Sequence, residues 1–426
     1  MLAALTLLLS APPNVVLIMA DDLGIGDLSC YHAGEGSLAP GPVRFPTPNI
    51  DRIAAAGLRF TDYHSNGAVC SPTRAALMTG RYQQRTGVDS VINADFKKNR
   101  HTGLSTDETT IADKLREAGY TTGVFGKWHL GYGVQFNPTR NGFDRFRGYV
   151  SGNVCYQLHY DRMGVPDWWD GEELRMAPGY TTDLITDYAV EFIAAAGEGP
   201  YFAYVAHECP HDPMQDRTSP PARRAGHVGS VWGPKKGEVE EVRLGMMTAM
   251  DEGVGRVLDA VAASPRADET LVIFCSDNGA TRLGDSGVLR GNKGSAWEGG
   301  HRVPLLVRGP GVPAGVTDRL AMTMDLFPTL CGLAGVDPGE VDGIDLAAGG
   351  DWTADPERTV HWQHGASSAV RRGDLKLVRN GKKLGGLYDL ATDVGEKDDL
   401  SQTRADVAAE LSRLHAEWLA DVTSGR

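Results

Sequence analysis

The chain has 426 residues, with 42 Lys and Arg against 55 Asp and Glu and a formal net charge of −13 at pH 7. Hydrophobic residues at 41% and charged residues at 23% exclude a disordered or collagen-like chain and leave a globular protein, either two to three domains or one large α/β domain with a small appendage. The negative balance argues against a protein that holds nucleic acid or an anionic membrane through its overall field, so an anionic substrate needs a local cluster of positive charge.

Leu2 to Ser10 (LAALTLLLS) is apolar, too short to span a bilayer, and runs into Ala11 and the Pro12-Pro13 break. It reads as the core of a signal peptide over residues 1–11 and predicts a secreted or periplasmic protein; it lacks a basic flank, so a cytosolic chain with a slightly different start stays open. No other stretch approaches ~18 uninterrupted apolar residues, so no membrane insertion is expected. The six cysteines (Cys30, Cys70, Cys155, Cys209, Cys275, Cys331) form no CxxC pair, which suggests neither a zinc site nor a disulfide framework. Cys275 and Cys331 sit in apolar patterns as small hydrophobes, and only Cys70 has unusual neighbours.

Along the chain, short β-branched or aromatic runs alternate with helical patterns, the signature of βαβ units and a largely parallel sheet. Asn14 to Ala20 (NVVLIMA) runs into Asp21-Asp22. Thr47-Pro48 opens a helix that stops at Gly57, with Ile50, Ile53 and Ala54 on one face. Cys70-Ser71-Pro72-Thr73-Arg74 opens another, with Pro72 suited to the first helical position and Gly80 to the end; Cys70 then lies where free backbone N–H groups favour an anion. Ile111 and Leu115 mark a helix ending at Gly119, before the strand Tyr120 to Gly126 and Lys127-Trp128-His129. Thr181 to Ala196 is an amphipathic helix, followed by the strand Tyr201 to Ala206, His207 and His211. Val239 to Ala263 is one longer helix or a broken pair, and Thr270 to Cys275 runs into Ser276-Asp277-Asn278-Gly279. Four strands thus deliver metal-type and acid/base residues at their carboxyl ends, where open α/β sheets bind ligands. After Gly349-Gly350 come short strand-like pieces (Thr359 to Trp362, Ser368 to Arg371, Leu375 to Val378, Leu387 to Leu390) and a helix from about Arg404 to Val422, read as a small antiparallel sheet with one helix packed on it.

Cys70-Ser71-Pro72-Thr73-Arg74 with Ala75-Ala76-Leu77-Met78-Thr79-Gly80-Arg81 resembles the first signature of the type I sulfatases, in which the cysteine of C-x-P-x-R is oxidised to formylglycine by a separate maturation enzyme. Gly119 to His129 (GYTTGVFGKWH) resembles the second, with Phe125 where a small aliphatic residue is usual. The resemblance runs from Asn14 to Leu387-Tyr388-Asp389-Leu390 and Gly395-Glu396-Lys397, and two long signatures in order are a specific signal. It implies an alkaline-phosphatase-like α/β fold: a large, mostly parallel central sheet flanked by helices in a catalytic domain over 12–350, then an α+β subdomain over 351–426.

Carried over residue by residue, the resemblance assigns one calcium ion to Asp21, Asp22, Asp277 and Asn278, with the formylglycine oxygen of position 70 alongside. An all-oxygen, carboxylate-rich set suits a hard divalent cation, although each acidic pair alone also suits a turn or cap. Lys127, His129, His211 in Pro210-His211-Asp212-Pro213 and Lys293 in Arg290-Gly291-Asn292-Lys293-Gly294 match the remaining positions. The lysines supply point charges to a sulfate, and Arg74 is expected to fork onto the aldehyde hydrate and neighbouring backbone. His207 is the rival of His211 and a substrate contact; Ser151 matches a family serine near the sulfate.

The implied reaction is in-line attack on sulfur by a hydroxyl of hydrated formylglycine, ionised beside calcium with Asp277 as base. His211 protonates the leaving alkoxide, helped by Lys293, and His129 then removes the second hydroxyl's proton so that sulfate is expelled. The expected substrate is a sulfate ester of a small molecule or oligosaccharide. The carbohydrate bias rests on the His207-Glu208-Cys209-Pro210-His211 stretch, which resembles those of polysaccharide-degrading members, and on the polar-aromatic segment Tyr156 to Trp169. An arylsulfatase, a phosphonate monoester or phosphodiester hydrolase of the same superfamily, and a non-catalytic glycan-binding relative with unmodified Cys70 are the alternatives.

Overall fold

The computed structural model describes residues 11–381 and 383–424; the expected signal-peptide core falls outside them. The continuous apolar run Asn14–Ala20 forms the middle of a ten-stranded sheet, parallel to Tyr201–Ala206 on one side and Thr270–Ser276 on the other, with Val16 level with Ala203 and Val272. All of its residues are buried, which is why it reads as an unbroken apolar run and not as an alternation. Beyond Tyr201–Ala206 follow Thr121–Lys127 and Arg145–Tyr149, both parallel, then the short ribbon Trp169–Asp170 and Glu173–Leu174. Beyond Thr270–Ser276 come Leu305–Arg308, which is antiparallel to both of its neighbours, then Leu58–Phe60 and Gly315–Thr317. The expected largely parallel α/β sheet is therefore present, with antiparallel pairing toward both edges. Its outer strands are two to five residues long, too short to show a period in the sequence.

The two faces of the sheet bury separate apolar layers. Val15, Leu17 and Met19 pack with Tyr204, Ile273 and the Ala75, Leu77 and Met78 side of the helix Cys70–Thr79. Val16, Ile18 and Ala20 pack with Ile185 of the helix Thr181–Ala194 and with Met246, Met250 and Val254 of Val239–Ala262. The latter is one unbroken helix of 24 residues. Its Gly253 and Gly255 face Thr186 and Asn49 without room for a Cβ, so they permit close packing at some cost in helix propensity. The Cys70–Thr79 helix starts at Cys70 itself, which puts Pro72 at its third position and not its first; the first-turn N–H groups have no intrahelical acceptor, so a proline is accommodated there. Gly80 ends it in the left-handed region at φ 67°.

The C-terminal strands Thr359–His364, Ser367–Arg372, Leu375–Asn380 and Lys383–Asp389 form an antiparallel sheet in that order, each longer than its sequence pattern suggests. Val370, Leu377 and Leu387 pack against Leu411 of the helix Ala405–Val422. Val360, Trp362, Ala369, Val378 and Tyr388 share a core with Ala76, Tyr82, Met322 and Met324 of the preceding region. Trp362 stacks on His301 at 4.1 Å between ring centroids and donates from Nε1 to Ser65 O at 2.9 Å. Removing this anchor is expected to unfold the whole chain more readily, not the last 70 or so residues alone. Trp362→Ala should lose about 3–5 kcal/mol of stability in a single thermal transition. Two separated transitions in calorimetry would instead establish residues 351–426 as an independent unit.

Candidate functional site

The loops at the carboxyl ends of four strands and the start of the Cys70–Thr79 helix meet at one point. Asp21 and Asp22 follow Asn14–Ala20, Lys127 ends Thr121–Lys127 with His129 two residues on, His211 lies beyond Tyr201–Ala206, and Asp277 and Asn278 follow Thr270–Ser276. Backbone bonds hold the loops together: Asp21 N–H donates to Cys209 O at 3.1 Å and Asp277 N–H to Ala20 O at 3.2 Å. Asp22 and His129 sit in the left-handed region at φ 65° and 57°, a local strain that only a well-fixed surrounding sustains.

At the centre, Cys70 Sγ lies 3.5 Å from Asp21 Oδ1 and 3.4 Å from Lys293 Nζ, 2% exposed. Each buried carboxylate has one cation: Lys127 pairs with Asp21 Oδ2, Lys293 lies 2.5 Å from Asp22 Oδ1, and Arg74 donates from Nε and Nη2 to Asp277 Oδ2 at 3.1 and 2.9 Å. Burial, reinforced by the neighbouring charge of Asp277, pushes the Asp21 carboxyl up to about 8. Burial works in the same direction on Asp22 and Asp277 but is outweighed, for Asp22 by His211 and Lys293 and for Asp277 by Arg74 and Lys127, so both lie below the ordinary carboxylate range. Asn278 donates from Nδ2 to Asp22 Oδ1 at 2.8 Å, while its buried Oδ1 has no hydrogen-bond partner. Three carboxylates, an orphaned amide oxygen and the position-70 side chain around one point form an oxygen-rich donor set for a hard cation. Asp21, Asp22, Cys70 and His211 offer ligand atoms within 4.8 Å of one another.

The two histidines differ in what holds them. His129 Nε2 contacts Ile92 O at 3.0 Å; a carbonyl only accepts, so Nε2 carries the hydrogen and the buried, unpartnered Nδ1 keeps its lone pair. Burial, then the charge of Lys127, hold this imidazole well below its ordinary range, so it is neutral. His211 is anchored at its other nitrogen, with Nδ1 2.8 Å from Asp212 O and Nε2 3.5 Å from Asp22 Oδ2.

At four expected residues the structure adds contacts that the sequence does not show. Arg74 forks onto the Asp277 carboxylate and reaches Lys127 O and Tyr204 OH at 3.2 and 3.1 Å, so the expected contact with neighbouring backbone is present and most of its donors are engaged by the protein. Asp277 has Oδ2 engaged by Arg74 and Oδ1 by the Asp22 N–H at 3.2 Å. His207 is fully buried with neither ring nitrogen hydrogen-bonded, its imidazole pushed down to about 4 by burial, and Asp183 is its charged neighbour. Ser151 Oγ donates to Asn153 O at 3.0 Å while its N–H donates to Asp167 Oδ2 at 2.9 Å, which shapes the loop behind His129 and His211. The sequence reading missed Tyr204, whose hydroxyl is a polar tip in an otherwise apolar strand, and the carbonyls of Ile92 and Asp212, for which no side-chain signal exists.

The residues match known proteins over most of the chain. The family model described as "Sulfatase" matches residues 13–336. Arylsulfatase A of Bos taurus is 36% identical over 376 residues, 79% of this chain and 68% of that protein. N-acetylgalactosamine-6-sulfatase of Canis lupus familiaris is 34% identical over 408 residues, 86% of this chain and 71% of that protein. The solved structure of Ps i-CgsB in complex with k-i-k-neocarrahexaose superposes with a TM-score of 0.83 at 28% identity, covering 97% of this chain and 94% of that one.

The site's rigidity is open to test at Gly279, whose N–H donates to Gly300 O at 3.0 Å and where an added Cβ would fall inside the van der Waals radius of Gly299 O. Gly279→Ala forces backbone apart beside Asn278 and should cost about 1–3 kcal/mol, lowering cation affinity at the same time. An unchanged melting temperature with intact cation binding would mean that this loop moves freely.

Proposed function

This chain belongs to the sulfatase family and is a sulfuric ester hydrolase, and we propose that it releases sulfate from a sulfated carbohydrate using one calcium ion and a formylglycine derived from Cys70. The observation that carries this reading is the position of Cys70 Sγ, at the first residue of a helix and between Asp21 Oδ1 at 3.5 Å and Lys293 Nζ at 3.4 Å. Asp21, Asp22, Asp277 and Asn278 fit calcium, the orphaned Asn278 Oδ1 foremost, and the bound ion supplies Lewis-acid charge while formylglycine at position 70 supplies the nucleophilic hydroxyl. Asp277 acts as ligand, fixed by Arg74, and Arg74 orients that carboxylate. Lys127 and Lys293 supply fixed positive charge for a sulfate, the local cluster that a chain of net charge −13 requires. His129, neutral with a free Nδ1, accepts a proton from a hydroxyl at position 70; His211, partly exposed at the mouth, donates one from Nε2 to the leaving oxygen. Cys70 is buried at 2% exposure, so a maturation enzyme must reach it before this packing closes. Peptide mass spectrometry across residue 70 tests the modification, and an active protein bearing only thiol would refute it.

The carbohydrate assignment is supported by relatives named for N-acetylgalactosamine 6-sulfate chemistry and by the neighbour solved with a neocarrahexaose; the match to arylsulfatase A keeps an aryl ester as the alternative. Leaving groups separate the two and assign the acid. A sugar alkoxide needs a proton and a nitrophenolate does not, so His211→Ala should reduce kcat/KM on a sulfated sugar about 10²–10⁴-fold while sparing most activity on nitrophenyl sulfate. Equal losses on both substrates would remove His211 from the acid role.

The cation assignment predicts a proton count. Asp21 binds a proton in the cation-free protein below about pH 8 and must lose it to act as a ligand. Calcium added to metal-stripped protein at pH 6 should therefore release about one proton per ion, falling toward none above pH 9, and Asp21→Asn should abolish the release. Saturable calcium binding at pH 6 without proton release would contradict the ligand role of Asp21.

A further inference from the structure

The closing segment Gly395-Glu396-Lys397 takes no part in the chemistry above, yet Glu396 is fully buried and held in the left-handed region at φ 52°. It grips both ends of the loop that carries Lys293. At the front of that loop, Arg290 donates from Nη1 to Glu396 O at 2.6 Å; at the rear, Glu298 N–H donates to Glu396 Oε2 at 2.7 Å. Glu396 Oε1 accepts from Lys376 Nζ at 2.9 Å, and Lys376 also reaches Glu298 Oε1 at 2.7 Å. Between the gripped ends, Lys293 N–H donates to Ala280 O and Gly294 N–H to Ala68 O, both at 2.8 Å, so the middle of the loop rests on the Asp277-Asn278 turn and on the approach to Cys70. His64, Glu298 and His301 have the spacing of a cation site, but Lys376 Nζ stands 3.2 Å from His301 Nε2 and fills it with a protein charge.

We propose that Glu396 is a positioning residue for Lys293: by fixing both ends of the 290–298 loop it sets the ammonium group beside position 70, so the C-terminal subdomain acts in catalysis through this clamp. The inference rests on the role given to Lys293 under Proposed function. A left-handed glutamate is strained and persists only where its surroundings demand it; here the demand is the simultaneous use of its carbonyl and both carboxylate oxygens.

A double-mutant cycle tests the clamp with the full-length protein, rates being normalised to the folded fraction bearing the modified residue 70. Lys293→Ala should lose about 10²-fold in kcat/KM, the scale of a removed charge-stabilising group. Glu396→Gln keeps the side chain's shape but opposes a donor to Lys376 or to Glu298 N–H, and should lose about tenfold. Arg290→Ala removes the side-chain tie to Glu396 O and the stacking of the guanidinium on Trp297 while the Gly299 N–H bond to Arg290 O at 2.7 Å stays, and should lose about threefold. Each variant combined with Lys293→Ala should fall within about twofold of Lys293→Ala alone, because a clamp has no effect once the residue it positions is gone. A purely structural role would multiply the losses, and that result, or single variants within twofold of wild type, overturns the clamp. If Glu396→Gln does not fold, the Arg290→Ala pair decides. Lys293→Ala within twofold of wild type would instead refute the role of Lys293 itself.

Discussion

Burying three carboxylates around one point is the constraint from which the site takes its form. Asp21, Asp22 and Asp277 are excluded from water, and like charges that close together in a medium of low dielectric cannot all remain ionised unaided. One cation is placed on each, Lys127, Lys293 and Arg74 respectively, and the compensation is still incomplete, since Asp21 is pushed up to about 8. The remaining deficit is filled by a proton or by a cation. Under the proposed calcium assignment, a cation that takes over the carboxylates would free two ammonium groups to face an anionic substrate.

Such an arrangement demands backbone that does not yield. The loops are cross-tied by main-chain bonds, two of the site residues are held in the left-handed region, and a second buried charge group braces them from behind. There Asp62, Glu298 and Glu396 meet Arg302, Arg371 and Lys376, three acids against three bases. Arg371 and Lys376 belong to the C-terminal sheet, whereas Asp62, Glu298 and Arg302 belong to the larger region. Removing one member of such a buried set strands its partner at a cost of about 3–5 kcal/mol. The C-terminal sheet is therefore joined to the site both by charge and by the shared core around Trp362.

The parts legible in the sequence were those that side-chain pattern alone dictates. The four central strands are continuous apolar runs with chemistry at their ends, and each emerged within a residue of its expected bounds. Asp21, Asp22, Lys127, His129, Asp277 and Lys293 lie in local motifs legible in the sequence, and the structure brings the loops that carry them together. The rest depended on partners distant in the chain. Arg74 takes its carboxylate partner from Asp277, 203 residues away. His207 shares a motif with His211, yet it is fully buried while His211 is partly exposed. Edge strands of two or three residues carry no period, and Glu396 reveals its function only through contacts with residues some 100 positions earlier.

The two site histidines have identical side chains, and the opposite tasks proposed for them rest on the atom behind each. Each spends one nitrogen on a backbone carbonyl, His129 through Nε2 to Ile92 and His211 through Nδ1 to Asp212, so each has only its other nitrogen left for proton transfer. Around His129 the neighbours are Lys127 and Arg74 with no solvent; a protonated ring there would stand against two fixed cations, so this histidine can only receive a proton in passing. His211 faces the Asp22 carboxylate at 3.5 Å and retains access to water, so a protonated ring has a counter-charge and a source of protons. The proposed division into base and acid rests on these surroundings, and exchanging the two roles would require moving the lysine or the aspartate, not the histidines.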